Sequence, residues 1–185
     1  MTPDPLLQPV AKVVAELERA LKDGRRTAPN EVLGLVLELH ESNLEQWGLE
    51  DVTRHPGAGD SVVADAKRAI DKLNLRRHGL IQAIDSAVDA SLQQSDSAPL
   101  ATESPGMVLD RLSVLVIRVA RTRDRVGSEG EGTAVHARRL PSLERQLSAL
   151  SIALETLIQE VGAGTRRFML YEPMKLYSSP SVEAT

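Results

Sequence analysis

The chain has no cysteine. That absence removes disulfides, thiolate metal sites and cysteine nucleophiles in one step. Aromatic residues are almost absent as well: Trp47, Phe168, Tyr171 and Tyr177 are the whole set in 185 residues. With so few rings, Leu, Val and Ala must fill the interior, which suits helix-on-helix packing better than a sheet. No apolar run reaches the roughly 18 residues of a membrane span, and the first residues lack a basic-then-apolar leader pattern. A soluble cytoplasmic protein with no membrane partner is therefore expected. The net charge of −4 argues against nucleic acid as a partner. The local exception is a basic cluster of Arg111, Arg118, Arg121, Arg123 and Arg125. There is no Gly-rich phosphate loop, zinc pattern or nucleophile elbow, and none of the Glu-x-x-His pairs that a di-iron bundle needs. Glu38 and Glu41 form a carboxylate pair of the kind that helical nucleotide pyrophosphatases use for Mg²⁺. The companion pair is missing, because Arg68 stands three before Asp71.

What is present is helical periodicity. Val10, Val13, Val14, Leu17 and Leu21 recur at helical spacing up to Gly24, a natural C-cap. A second helix is predicted from Asn30, as N-cap, to about Arg54. The breaker run His55-Pro-Gly-Ala-Gly ends on Asp60, expected to cap a long third helix that reaches about Leu92. After a Ser-rich loop, Ser104-Pro105 opens a fourth helix, apolar over most of its circumference from Met107 to Ala120. A last helix is predicted from about Ala134 to Val161, with Pro141 starting its main part or kinking it. The expected fold is all-α: an up-and-down bundle of four long helices plus an N-terminal one, over residues 1–165. An irregular C-terminal tail, 166–185, would pack on the bundle through Phe168 and Tyr171 or be partly disordered.

Ionisable residues occupy positions where these helices should be apolar. On the second helix His40, Asn43, Trp47, Glu50, Asp51 and Arg54 fall within an arc about 100° wide. Val32, Val36 and Leu39 share that arc, so the stripe is expected to face the core. On the third helix Lys67, Asp71, Asn74, His78 and Asp85 line the edge of the apolar face, and Arg77 falls inside it. Asp110 and Arg111 interrupt the apolar fourth helix. Gly106 at its start permits close approach to free backbone N–H groups that favour an anion. Burying a charge is costly unless it is paired, so such stripes imply either structural ion pairs or a ligand site. His55 and His136, in or near loops, read as solvated. Met107, Met169 and Met174 read as packing.

Taken together these residues resemble a bacterial family known only as a domain of unknown function, often found near glycosyltransferase or natural-product genes. The matching signature is Trp-x-x-Glu-Asp-x-x-Arg at Trp47, Glu50, Asp51 and Arg54. It continues as Lys-Arg-x-Ile-Asp-x-Leu-Asn-x-x-Arg from Lys67 to Arg77, then Ile84-Asp85, Thr102 to Gly106, Asp110 to Ser113, and Lys175-x-Tyr177. Two places depart from it: Leu75 stands where a polar residue is usual, and His78-Gly79 where an Asn-Asp pair is usual. The resemblance implies an intracellular bacterial protein and a setting among biosynthetic enzymes, with one of them as a partner. It implies no mechanism.

The residues support an expected function of one kind. A small helical enzyme, or enzyme-like binder, would act on an anionic metabolite such as a sugar phosphate, nucleotide or carboxylate, in a pocket between the second, third and fourth helices. Arg54, Lys67, Arg77 and Arg111 would hold the anion, with Asn74 and Glu103 beside them. Glu50 or Asp51, raised in pKa by burial, would act as general acid or base, with His40 as the alternative. Asp71, Asp85 and Asp110 would orient the arginines or bind Mg²⁺ with a phosphate. The competing expectation is a non-catalytic accessory or scaffold subunit whose charged network fixes helix packing and whose apolar faces form a homodimer.

Overall fold

The computed structural model describes residues 10–24, 28, 30–92, 94–128 and 132–172. Five α-helices account for most of them: α1 (Val10–Asp23), α2 (Glu31–Thr53), α3 (Asp60–Ser91), α4 (Pro105–Gly127) and α5 (Thr133–Gly162). The fold is all-α, and its boundaries follow local chemistry. Asn30 caps α2 by accepting the Leu33 N–H at 2.8 Å. Ser104 caps α4 by accepting the Met107 N–H, with Pro105 at the first helical position. Two details differ from expectation. Gly59, not Asp60, is the N-cap of α3; Asp60 lies one residue inside, where its charge faces the positive end of the helix. Pro141 does not start the last helix, since α5 begins at Thr133 and continues through the proline, which is exposed.

Short connections pair α2 with α3 and α4 with α5 as two antiparallel hairpins, and α4 packs against all four other helices. That central position explains its sequence. Val108, Leu109, Leu112, Val116, Ile117 and Val119 are all buried, around more than half of the helix. Leu39 and Val36 of α2, Ile84 and Val88 of α3, and Leu154 and Ile158 of α5 complete the core with them. Full burial of a Leu, Ile or Val side chain contributes roughly 1.5–3 kcal/mol. Leu17 seats α1 on this core, and the Glu155 carboxylate of α5 accepts the Val10 N–H at 2.6 Å, satisfying one orphan donor of the first turn.

The segment after α5 turns back along the bundle. Arg167 pairs with the chain before α4, its N–H bonding the Pro99 carbonyl (3.0 Å) and its carbonyl accepting the Ala101 N–H (2.7 Å). Phe168 is buried beneath it, and its N–H reaches the Gln94 side chain at 2.7 Å. Lys175 and Tyr177 lie outside the described residues, as does Met174.

Candidate functional site

The polar stripe of α2 divides at Asn43. His40 and Asn43 are buried, as expected; Trp47 and Glu50 are half-buried, and Asp51 and Arg54 are exposed. The inner half joins a closed network across three helices. Arg77 of α3 donates through Nε to Asp110 Oδ1 (2.7 Å) and through Nη2 to Asp110 Oδ2 (2.5 Å). Asn43 Nδ2 donates to the same Asp110 Oδ1 and to Ser113 Oγ, each at 3.1 Å. Ser113 Oγ also meets His40 Nδ1 at 2.8 Å. Burial lowers the His40 pKa to about 4; the Leu17 backbone opposes that shift without giving Nε2 a well-aligned partner. His40 is therefore neutral at physiological pH and enclosed, which removes it as an acid or base for any ligand in solvent.

Asp85 makes the second buried knot. Its Oδ1 accepts the Gly106 N–H at 2.6 Å and its Oδ2 the Tyr171 N–H at 3.3 Å, with a further hydrogen bond from Ser104. Desolvation still pushes its pKa above the ordinary carboxylate value, against all three hydrogen bonds. The anion expected at the start of α4 is thus the protein's own carboxylate. Gly106 is what admits it: a Cβ there would lie 2.6 Å from the Ile81 carbonyl oxygen and 2.8 Å from Asp85 Oδ1.

The remaining predicted residues sit outward. Glu50 pairs with Arg54 (3.3 Å) and with Lys67 (3.9 Å) across to α3. Arg111 is exposed and pairs with Glu103 rather than joining Asp110 inside. Asp71 is exposed and Asn74 half-buried. Every cation expected to hold the anion (Arg54, Lys67, Arg77, Arg111) therefore already faces a carboxylate. Among the described residues no three His, Asp or Glu side chains gather where a metal ion could sit. Asp110 is taken by Arg77 and Asp85 by backbone donors, so neither is available to Mg²⁺.

A different feature escaped the sequence reading. At the end of the bundle where α2 and α4 finish and α5 begins, a cleft of about 780 Å³ opens between these three helices. Trp47 and Asp51 form its α2 wall, Arg118, Arg121 and Arg125 its α4 wall, and His136, Arg139, Ser142 and Gln146 its α5 wall. The spacing of Arg118, Arg121 and Arg125 puts them on one face of α4. Arg123, between them, points elsewhere and pairs with Glu144 (2.9 Å) and Glu18 (3.4 Å). Among the described residues Arg118, Arg125 and Arg139 have no carboxylate partner, and Arg121 has only a distant one in Asp124 (3.9 Å). Among the described residues Asp51 is the single acid in the lining. His136, expected to be solvated, is a half-buried part of that wall, because the first turn of α5 folds over the end of α4.

Residues 33–170 match the family described as Protein of unknown function (DUF4254). The chain belongs to that family. The matched segment contains the whole cleft lining and the Arg77–Asp110 network, and it leaves outside it α1 and Tyr171, one of the donors to Asp85. No curated protein and no solved structure matches the chain. Among the described residues no helix is long and apolar enough to cross a membrane.

Proposed function

We propose that this DUF4254 protein binds a small polyanionic metabolite in the cleft between α2, α4 and α5. One observation carries the reading: Arg118, Arg125 and Arg139 line one cavity, and among the described residues none of them has a carboxylate partner. Like charges at helical spacing repel, costing a few tenths of a kcal/mol per pair. Such a cluster makes physical sense when an anion from outside supplies the missing charge, and Arg presents the planar fork that phosphate and carboxylate groups accept. Of the acid–base candidates from the sequence, Asp51 lines this cleft and would act there, with His136 of the α5 wall as its counterpart. Glu50, Arg54 and Lys67 form the neighbouring surface of α2 and α3 and would steady the turn that carries Asp51.

A second reading rests on the Arg77–Asp110–Asn43–Ser113 network, whose polar groups answer one another across α2, α3 and α4. That is what a scaffold needs to fix helix register, and it assigns the network to architecture. The two readings are compatible, because they concern different parts of the bundle.

The test is isothermal titration calorimetry of the full chain with inorganic pyrophosphate and with citrate. Binding that is lost in an Arg118→Ala/Arg139→Ala double variant, and retained in Arg77→Ala, supports the reading. Absence of binding by either anion at low salt, or equal binding by the double variant, overturns it.

A further inference from the structure

We infer that the polyanion is a nucleotide: its base stacks on Trp47 and its di- or triphosphate lies among the arginines. This inference rests on the anion-binding reading of the same cleft. It begins from an economy in the sequence. The chain uses a single tryptophan and places it on the wall of the basic cleft. Phe168 and Tyr171 lie with the returning tail at the far end of the bundle. A purely electrostatic phosphate site needs no ring. Trp47 is only half-buried, so it is not spent on filling the core. An indole at a cleft wall offers a flat face on which any base can stack, and stacking of this kind is tolerant of base identity.

Charge and size agree with that ligand. Among the described residues, four arginines against one aspartate leave the lining strongly positive, a match for the charge of roughly −3 on a nucleoside diphosphate. Clefts for metabolites of this size fall in the range of about 300–1,000 Å³, and 780 Å³ leaves room for a base and sugar beyond the phosphates. Ser142 and Gln146 also line the α5 wall, and among the described residues neither side chain has a hydrogen-bond partner. Both are free to meet ribose hydroxyls or a base edge.

The experiment is calorimetry on the full chain with ADP, UDP and inorganic pyrophosphate, in the wild type, Trp47→Leu and Trp47→Phe. The expected result is that ADP binds at least about tenfold tighter than pyrophosphate, with UDP between them, as base stacking on an aromatic side chain provides. Trp47→Leu should erase that advantage while leaving pyrophosphate affinity unchanged; Trp47→Phe should keep most of it. The unchanged pyrophosphate affinity also shows that the leucine variant is folded. Pyrophosphate binding with no advantage for ADP overturns the nucleotide assignment and leaves the anion site standing. Equal loss of both ligands in Trp47→Leu also overturns it, since the ring would then be shaping the cleft rather than receiving a base. Failure of every phosphate compound to bind overturns both readings.

Discussion

Arg77 of α3 grips Asp110 of α4 through two parallel hydrogen bonds of 2.7 and 2.5 Å, and Asp110 is almost wholly buried. The arginine is less enclosed, with 30% of its side chain in solvent. Breaking such a pair from the arginine side strands a buried carboxylate, a change that typically costs 3–5 kcal/mol for full burial. Partial solvent access at Arg77 places the expected loss for Arg77→Ala at about 2–3 kcal/mol. Urea unfolding measures it. Replacing both partners, as in Arg77→Met/Asp110→Leu, should recover part of the loss, because no charge is then left unpaired. Pyrophosphate affinity should be unchanged in either variant.

His40 gives the fold a dependence on pH. Its pKa is about 4 in the folded protein and 6.5 when unfolded, so the unfolded chain takes up the proton first as pH falls. The stabilising contribution is complete above pH 6.5 and is lost between 6.5 and 4, amounting to about 3 kcal/mol over that window. Asp85 acts in the opposite sense. Its folded pKa is raised, so the native state takes its proton first, and that contribution grows as pH falls through its folded value. The difference between the wild type and His40→Asn isolates the histidine. Urea midpoints taken from pH 7.5 to 4.5 should decline less steeply in the variant; parallel slopes would show that His40 does not titrate as its burial requires.

Two glycines of the α3–α4 region should respond to alanine with opposite signs. A methyl group at Gly106 meets the backbone carbonyl of Ile81 and the Asp85 carboxylate, neither of which can move without separating the helices. Gly106→Ala is expected to cost about 2–3 kcal/mol, as overpacking of a close contact does. A methyl group at Gly79 meets nothing within 4 Å, and the residue sits at an exposed position inside α3. Gly79→Ala should stabilise by about 0.5–1 kcal/mol through helix propensity. Thermal unfolding of both variants side by side provides the check.

Helix positions were legible in the sequence because caps and breakers act locally: Asn30, Ser104-Pro105 and Gly24 each mark an end regardless of what packs nearby. The inner polar stripe was legible for a related reason, since His40 and Asn43 share a helical face with Val32, Val36 and Leu39. Its outer half misled, because a shared face says nothing about where along the helix the core stops. Asp110 and Arg111 illustrate the same limit. They are neighbours about 100° apart on a helix apolar nearly all round, and only the packing of α3 decides that the first turns inward and the second outward. The cleft was harder still. Arg118, Arg121 and Arg125 announce a basic face of α4, but Arg139 and His136 join it only once α5 folds back across the end of that helix.

The arginines themselves supply the last prediction, which separates a ligand site from ordinary surface charge. Among the described residues Arg118, Arg125 and Arg139 have no carboxylate to lose, and they share one basic cleft, so alanine at any one of them should leave stability unchanged or raise it by up to about 0.5 kcal/mol. Arg123 is the internal control. It lies on the same helix, outside the cleft, and holds Glu144 and Glu18, so Arg123→Ala should lower stability by no more than about 1 kcal/mol. Pyrophosphate affinity should show the reverse ranking. It should fall about tenfold or more for each cleft arginine, as lost charge-assisted bonds to phosphate imply, and stay level for Arg123→Ala. Melting temperature and calorimetric affinity measured on the same four variants decide the matter. If all four lose stability alike and affinity does not distinguish them, the arginines serve the surface rather than a ligand. If stability and affinity move in opposite directions at the three cleft positions alone, the uncompensated charge is retained for binding, because the fold is no worse without it.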